Sequence, residues 1–411
     1  MQQSKTLFPS VSAILCLMPD ISPTSRRLLP LYLGVLFQGI IFWYAIEKLF
    51  MTKIGFNDFS IGIMVAAYSL VMILTVVPAG ILADRWSRKG VLIISSVVLA
   101  VSGIIGALSN TVPMYVVSTL FWGLYSALTY GTYDSIIYDV LIEEKGNAHE
   151  YETYYGRHKV FEGISFVIGS LSAGLIAEFD GLRATYWFSL PFIAVSIVFL
   201  IIFKDPIIHK AEGLAPIKEH VIQTLNSVLK NSSLIPIIVA LITLEAVNTA
   251  VYEFSQLWFI AVAAPIIIFG PGNALVVSSW SLGGLFSKYM KGSRRIIFIC
   301  IFMLVSSIAL SLTHLIWFII AAQTILSIGI VGLSVVLTHQ LHDQLPSRVR
   351  AGASSTVSTM SIIILVPLAI IFGLLASQRS VFVANILLIA VLLIALGAII
   401  FRKDFLKEKL L

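Results

Sequence analysis

Long apolar runs are the feature of this sequence that most constrains its fold. A transmembrane helix needs about 20 consecutive apolar residues, and twelve stretches of the chain are that long or nearly so. Polar backbone groups in lipid must be paired within their own segment, so these stretches are expected to cross the membrane as twelve helices. They lie near residues 28–51, 59–83, 89–109, 112–138, 158–179 and 183–203, and near 234–259, 264–287, 295–314, 315–340, 354–376 and 380–401.

The composition of the 411 residues agrees with this expectation. The chain is 58% hydrophobic and only 12% charged, whereas soluble domains are about a quarter charged. The net charge of +6 suggests nucleic acid in a soluble protein, but basic residues in a membrane protein mark topology, so no nucleic-acid partner is expected. Cys16 and Cys300 lack metal-ligand spacing, so neither a metal site nor a disulfide framework is expected.

The basic residues predict the orientation of the spans. With the N-terminus inside, 23 of the 27 Lys and Arg residues fall in segments that face the cytoplasm. Such a bias is typical of cytoplasmic loops. The sequence therefore predicts a multi-pass protein of the cell (inner) membrane, in contact with the lipid bilayer, with both termini in the cytoplasm.

The longest polar connection divides the spans into two sets of six. Similar features recur on both sides of it: Glu47 and Glu253 are 206 residues apart, and Gly80 and Gly284 are 204 apart. Two related halves with a substrate site between them are typical of transporters. The predicted organisation is an N-terminal tail at 1–27, a six-helix half at 28–203, a linker with an interfacial helix at 204–233, a second six-helix half at 234–401 and a tail at 402–411.

One short polar loop carries a resemblance to a known family. The stretch "GILADRWSRKGVL", residues 80–92, lies between the second and third spans. It resembles the signature loop of the major facilitator superfamily, Gly-x-Leu-Ala-Asp-Arg-x-Gly-Arg-Lys, with Ser87 in place of the second glycine. The twelve-span plan extends the resemblance over residues 28–401, and the chain resembles the bacterial drug-exporter-like branch. The resemblance implies an all-α fold of two pseudo-symmetric six-helix halves.

The resemblance also implies a conformational latch at this loop. Asp84 would face the N-terminal end of the eleventh span, near Ser354, and Arg88 would pair with Asp139 at the inner end of the fourth span. A carboxylate is favourable at a helix N-terminus, which supports the role of Asp84. The alternative is that the basic residues only stop translocation. The predicted latch residues are Gly80, Asp84, Arg85, Arg88 and Asp139.

Small residues in the fifth span form a weaker resemblance. Their positions are similar to a pattern associated with exporters, although its proline is missing, and small residues also pack ordinary membrane helices. The fourth span lacks the arginine that many proton-coupled members carry, which weakens the usual coupling scheme. The matching positions are Gly156, Ser165, Gly169, Ser170, Ala173 and Gly174.

Polar side chains within the spans indicate where a substrate or proton would pass. Glu245 lies near the predicted midplane of the seventh span, and Asn248 and Tyr252 share its helix face. Gln38 lies at similar depth in the first span. Together these four residues predict a polar cavity wall, with Glu245 as the residue that binds and releases a proton. The alternative for Glu245 is a structural hydrogen bond between helices.

Other acidic residues have less definite roles. Glu47 and Glu253 lie near the outer interface, where we expect an acid to reach water easily. Asp134 is expected in a charge network with Arg157 and Glu162 that packs the fourth and fifth spans, or else in the substrate pathway.

These observations predict a secondary active transporter of a small molecule, with proton-coupled efflux of amphipathic compounds as the leading hypothesis. Its expected energy source is the proton gradient, with no cofactor and no metal, and a monomer is expected. A phosphate-binding Gly-Lys-Ser/Thr loop is absent from the sequence, which excludes a built-in ATPase. The alternatives are an uptake transporter for a metabolite and, less in keeping with the sequence, a polytopic membrane enzyme or a receptor.

Overall fold

The computed structural model describes residues 22–206, 234–345 and 347–400, with the side chains of 347–352 excepted. Most of the predicted linker, including its interfacial helix, lies outside the described residues, as do most of the N-terminal tail and the whole C-terminal tail. The boundaries drawn for these segments therefore stay predictions.

The described part of the chain is helical and contains no strand. Eight α-helices and one 3₁₀ turn, Tyr44–Ile46, precede residue 207. The α-helices are α1 (Pro23–Gln38), α2 (Glu47–Lys53), α3 (Asp58–Arg85), α4 (Arg88–Leu108), α5 (Val112–Thr129), α6 (Thr132–Lys145), α7 (Tyr151–Phe179) and α8 (Ala184–Ile202).

Six further α-helices follow residue 233, with a 3₁₀ turn at Ser287–Tyr289. They are α9 (Ile235–Ala261), α10 (Ile266–Phe286), α11 (Ser293–Leu312), α12 (Ile316–Asp343), α13 (Ser347–Gln378) and α14 (Val381–Ile400). Eleven helical segments in the described residues are long and apolar enough to cross a membrane. The broken first span, α1 with α2, completes the twelve of the predicted fold.

The first span is broken where a continuous helix was expected. After Gln38 the backbone leaves the α-helix and resumes it only at Glu47. The non-helical piece is buried against α7 and α8: the Phe42 N–H donates to Ser189 Oγ at 2.9 Å, and a Cβ on Gly169 would lie 3.0 Å from the Ile41 carbonyl oxygen. Irregular backbone at membrane depth is tolerated where protein surrounds it.

The fourth span is also broken, at Tyr130 and Gly131. Gly131 has a φ of 70°, in the left-handed region that glycine enters without steric cost. The break separates α5 from α6 and places Asp134 in the first turn of α6. An acidic side chain there also complements the positive end of the helix.

The two sets of six helices pack closely at one face of the molecule. The basic residues Arg27, Arg88 and Lys145 lie at the other end of the molecule, which we call the basic face. The closely packed end is therefore called the opposite face. At the opposite face α3 crosses α13 and α7 crosses α10. A Cβ on Gly373 would lie 2.6 Å from the Asp58 carbonyl oxygen, and one on Gly174 would lie 2.8 Å from that of Ile267. Glycine permits this approach of one backbone to another.

The small residues of the fifth span contribute to this packing. Gly174 contacts the backbone of α10, Gly169 and Ser165 contact the broken first span, and Ser170 Oγ accepts a hydrogen bond from Asn273 Nδ2 at 2.9 Å. These contacts match the packing alternative given above. They account for four of the six positions by helix packing, whereas a Cβ on Gly156 would meet nothing within 4 Å.

Candidate functional site: a central cavity open at one face

A cavity of about 560 Å³ lies between the two sets of helices. It begins near the middle of the molecule, at Tyr44 and Tyr252, and extends to the first turns of α6 and α7 at the basic face. Helices of both sets line it: α1, α5, α6 and α7 on one side, and α9, α10 and α13 on the other. This is the position expected for a substrate site between two transporter halves.

Aromatic rings form the inner end of the cavity. The Tyr44 ring stacks on Tyr252 with centroids 5.3 Å apart and contacts Trp122 at 5.5 Å. Tyr252 in turn contacts Trp280 at 4.9 Å, and Trp122 contacts Tyr125 at 5.4 Å. Rings from both halves therefore form one continuous surface, and such a surface holds an apolar or cationic group well.

Gln38 borders the cavity, but its amide is occupied within its own half. Its Nε2 donates to Ser96 Oγ at 2.7 Å, and its Oε1 accepts from Tyr133 Oη at 2.8 Å. Only 3% of Gln38 is exposed. Its hydrogen bonds therefore stay within the first half, because hydroxyl groups of α4 and α6 are the partners within reach.

Charged residues line the cavity near the basic face. Lys159 Nζ pairs with Glu162 Oε2 at 2.8 Å, and Asp134 interacts with the Tyr155 hydroxyl and with the charge of Lys159. The predicted network of Asp134 and Glu162 therefore forms around Lys159. Arg157 instead donates to Ser25 Oγ at 3.0 Å, on α1.

Glu245 and Asn248 lie in a separate side cavity of about 380 Å³ among α9, α12 and α13. Ser354 and Ser358 line both cavities, so the two adjoin. The Glu245 carboxylate interacts with hydroxyl groups of α13, those of Ser358 and Ser361. Tyr252, predicted on the same wall, lies two helical turns away at the inner end of the main cavity. The predicted wall is therefore divided between two cavities.

The opposite face is closed above the aromatic rings by polar contacts between the halves. Lys48 Nζ lies 2.6 Å from Glu47 Oε2 and 3.3 Å from Glu253 Oε2, on α9. Gln256, also on α9, accepts from the Lys48 N–H at 3.0 Å and donates to the Tyr44 carbonyl at 2.8 Å. We call Tyr44, Glu47, Lys48, Glu253 and Gln256 the Lys48 cluster.

Burial within the Lys48 cluster corrects the prediction for the two glutamates. Glu253 is 7% exposed and Lys48 is 2% exposed, and Glu47 accepts a further hydrogen bond from Tyr115 Oη at 2.8 Å. Neither carboxylate is simply hydrated near the interface, because packing of α9 against α2 covers both. A buried ion pair of this kind is sensitive to the loss of one partner.

The five predicted latch residues lie together at the basic face, on one half of the molecule. Arg88 forms an ion pair with Asp139 and a second with Asp84 at 3.0 Å. Arg85 ends α3, and a Cβ on Gly80 would meet nothing within 4 Å. Asp84 was expected at a helix end near Ser354, but that helix begins at Ser347, and the side chain of Asp84 is 52% exposed.

Lys48 and His158 are among the residues of the site that carried no functional prediction from the sequence. Lys48 was one of only four basic residues outside the predicted cytoplasmic segments, and its position beside Glu47 was the available signal. His158 lines the cavity with 3% exposure, and neither ring nitrogen has a hydrogen-bond partner among the described residues. Nothing in the local sequence distinguishes that histidine from one that merely packs.

Comparison with known proteins identifies the family. The sequence profile of the Major Facilitator Superfamily matches residues 28–361. The chain is 30% identical over 149 residues to an uncharacterized transporter of Buchnera aphidicola subsp. Schizaphis graminum, covering 36% of each protein. It is 23% identical over 225 residues to an uncharacterized MFS-type transporter of Methanocaldococcus jannaschii, covering 54% of this chain and 56% of the relative. The matches thus span about a third to just over half of these curated relatives.

Solved structures show the same fold. The nucleoside transporter NupG superposes with a TM-score of 0.70 at 15% identity, covering 94% of this chain and 99% of that one. A bacterial homolog to the human lysosomal transporter Spinster superposes with a TM-score of 0.71 at 14% identity, covering 95% and 98%. The profile match over most of the chain, the twelve-span fold and the cavity between two halves agree: this multi-pass membrane protein belongs to the Major Facilitator Superfamily.

Proposed function

We propose that this protein is a secondary active transporter that moves a small amphipathic molecule by alternating access. One observation carries the proposal: among the described residues, a cavity between the halves opens to the basic face and is closed at the opposite face by contacts between those halves. A site that reaches one side at a time is what alternating access requires.

The orientation follows from the distribution of charge. The basic face carries most Lys and Arg residues, so we assign it to the cytoplasm. The structure would then be the inward-open state, and the Lys48 cluster would be the outer gate. For the cavity to open outward, the Lys48–Glu253 contact and both bonds of Gln256 must break, because they join α2 and its preceding 3₁₀ turn to α9.

The latch residues are assigned to the other half of the cycle. In the inward-open state Arg88 contacts Asp84 and Asp139 of its own half. Closing the basic face would bring Asp84 towards the N-terminal end of α13, where a helix dipole favours a carboxylate by about 0.3–1 kcal/mol. An energy of that size shifts a two-state population several-fold.

Proton-coupled efflux is our proposal for direction and energy source, with Glu245 as the proton-binding residue. Its carboxylate is half-buried in the side cavity and borders the main one through Ser354 and Ser358. Ionisable groups at such depth are costly and usually serve a pathway. The aromatic inner end and charged mouth of the main cavity suit an amphipathic substrate.

The first prediction tests coupling with purified protein in proteoliposomes. A panel of amphipathic dyes, drugs and nutrients is offered to vesicles with an acidic interior, and accumulation is measured. Exchange with protons should drive uptake into these vesicles. Glu245→Gln keeps the shape of the side chain but cannot ionise, so it should abolish gradient-driven accumulation while substrate exchange without a gradient persists.

Glu152→Gln is the matched control, because Glu152 is exposed at the basic face and lines neither cavity. It should accumulate substrate like the unmodified protein. Undiminished accumulation by Glu245→Gln would contradict the assignment of that residue. Accumulation only in vesicles with an acidic exterior would contradict proton exchange and indicate co-transport.

A further inference from the structure

The mouth of the main cavity holds one more negative charge than positive charge among its described lining residues. Two carboxylates, Asp134 and Glu162, face a single ammonium group, Lys159, which pairs with Glu162 at 2.8 Å. Asp134 interacts with the Tyr155 hydroxyl and shares the charge of Lys159 with Glu162. Partial burial makes an uncompensated charge costly, so a positive partner is favoured there.

The cavity wall beside these charges suits a positive or planar group. Nine of the 23 lining residues are Phe, Tyr or Trp, against 11% aromatic residues in the whole chain. One ring already carries a cation, since Lys159 Nζ lies 5.4 Å from the centroid of Tyr155. Aromatic faces attract cations through their quadrupole, so this wall favours a cation over an anion of similar shape.

His158 supplies a third, independent observation. It lies in the same wall, stacked on Tyr155 with centroids 5.7 Å apart. It is 3% exposed, and both ring nitrogens lack a hydrogen-bond partner among the described residues. Buried polar groups are normally paired, so an unpaired imidazole beside the cavity points to a ligand that supplies the partner.

We propose that the substrate is an organic monocation that carries a planar aromatic ring. Asp134 neutralises its charge, the rings of the cavity wall stack on its aromatic part, and His158 bonds a donor or acceptor on the substrate when there is one. The inference rests on the proposed function, because it takes the cavity to be the transport site. The inference adds the charge and the shape of the transported substrate to the proposed function.

The test compares ligands that differ in one property, bound to the purified full-length protein. The probe is tritiated 2-(2-naphthyl)ethyl-trimethylammonium, measured by scintillation proximity. Its competitors are the neutral isostere, in which a tert-butyl group replaces trimethylammonium, and the cation with a saturated ring system. The probe should bind about tenfold more tightly than either competitor, in keeping with the range of cation–π energies.

Variants assign the charge preference to a residue. Asp134→Asn should bring the affinities for the probe and its neutral isostere to within about threefold of each other, because the neutral amide no longer attracts a cation. The control Asp180→Asn alters an exposed carboxyl group at the opposite face and should keep the full preference. The neutral isostere also reports folding, since its affinity should stay the same in both variants.

The outcomes separate this inference from the proposed function. Equal binding of probe and isostere to the unmodified protein, or a preference that survives Asp134→Asn, would overturn the inference even if some compound in the vesicle panel is transported. Conversely, selective binding of the cation that depends on Asp134 would support the inference even if no gradient drives accumulation, because binding is measured at equilibrium.

Discussion

Lys48 shows how one buried cation can join two halves of a molecule. It lies between carboxylates of both halves, Glu47 at 2.6 Å and Glu253 at 3.3 Å. Removing charges from water is expensive, and the cost is repaid only while the partners stay in contact. When the opposite face is closed, the ammonium group and both carboxylates stay in contact. When it opens, water would hydrate the same three groups.

A second prediction follows at the scale of this residue. Lys48→Met leaves Glu47 and Glu253 buried without an ammonium group, which should destabilise the closed form by about 3–5 kcal/mol. Such an energy is enough to reverse a two-state population. Spin labels at Thr111 and Leu315, both exposed at the opposite face, should report a longer distance in this variant, measured with Cys16 and Cys300 replaced by serine.

The control is Lys53→Met, since Lys53 lies on the same short helix and is exposed. Its distance distribution should match that of the unmodified protein. Glu253→Gln should have a smaller effect than Lys48→Met, because Lys48 keeps Glu47 as a partner. A distribution unaltered by Lys48→Met would show that this residue does not hold the gate closed.

At the scale of helices, two crossings between the halves bring backbone close to backbone at the opposite face. α7 and α10 meet where a Cβ on Gly270 would clash with the Ser170 carbonyl oxygen. α3 and α13 meet at Gly62 and Gly373, whose added Cβ atoms would also fall against backbone of the facing helix. Both crossings lie at the opposite face. Helices that pack closely there are separated at their other ends, at the basic face.

The third prediction concerns the α7–α10 crossing. Gly270→Ala should lower stability by about 1–3 kcal/mol, because a methyl group in a close-packed crossing forces the backbones apart. Thermal unfolding of the detergent-purified protein measures the effect. Gly284→Ala on the same helix meets nothing within 4 Å and should be neutral or slightly stabilising. Equal midpoints for the two variants would argue against close packing at this crossing.

The broken helices position the site at the same scale. The interruption after Gln38 brings Tyr44 to the inner end of the cavity, and the interruption at Gly131 turns Asp134 towards Tyr155. A continuous helix, with about 3.6 residues per turn, would carry these side chains round onto other faces. Interrupted spans are thus part of how the cavity is built.

At the scale of the whole molecule, orientation determines what the open cavity means. The fourth prediction is that Asn110→Cys is labelled by a membrane-impermeant maleimide from outside sealed cells, whereas Glu152→Cys is labelled only after the cells are opened. Both positions are exposed, so membrane topology alone should separate them. Labelling of Glu152→Cys in sealed cells would contradict the assigned orientation. The cavity would then open to the outside, and the structure would be the outward-open state.

The sequence by itself determined the membrane fold and the family. Twelve apolar runs and the loop at Asp84–Lys89 are local patterns, and lipid enforces them directly, because each span must pair its own backbone and each basic loop stays on one side. The proximity of Arg88 to Asp139 also followed from the family resemblance. None of these inferences needed to know how one helix packs on another.

Only the tertiary structure decided which side chains meet. Gln38 is hydrogen-bonded to Ser96 and Tyr133 within its own half, and Glu245 lies in a side cavity. Lys48 contacts both Glu47 and Glu253, which are more than 200 positions apart in the sequence. Hydropathy gives the depth of a residue in the bilayer but not the direction of its side chain around a broken helix. That direction is set by close contacts between helices that are distant in sequence. A buried polar side chain points to a hydrogen-bond partner on such a helix, because a buried polar group without a partner is costly.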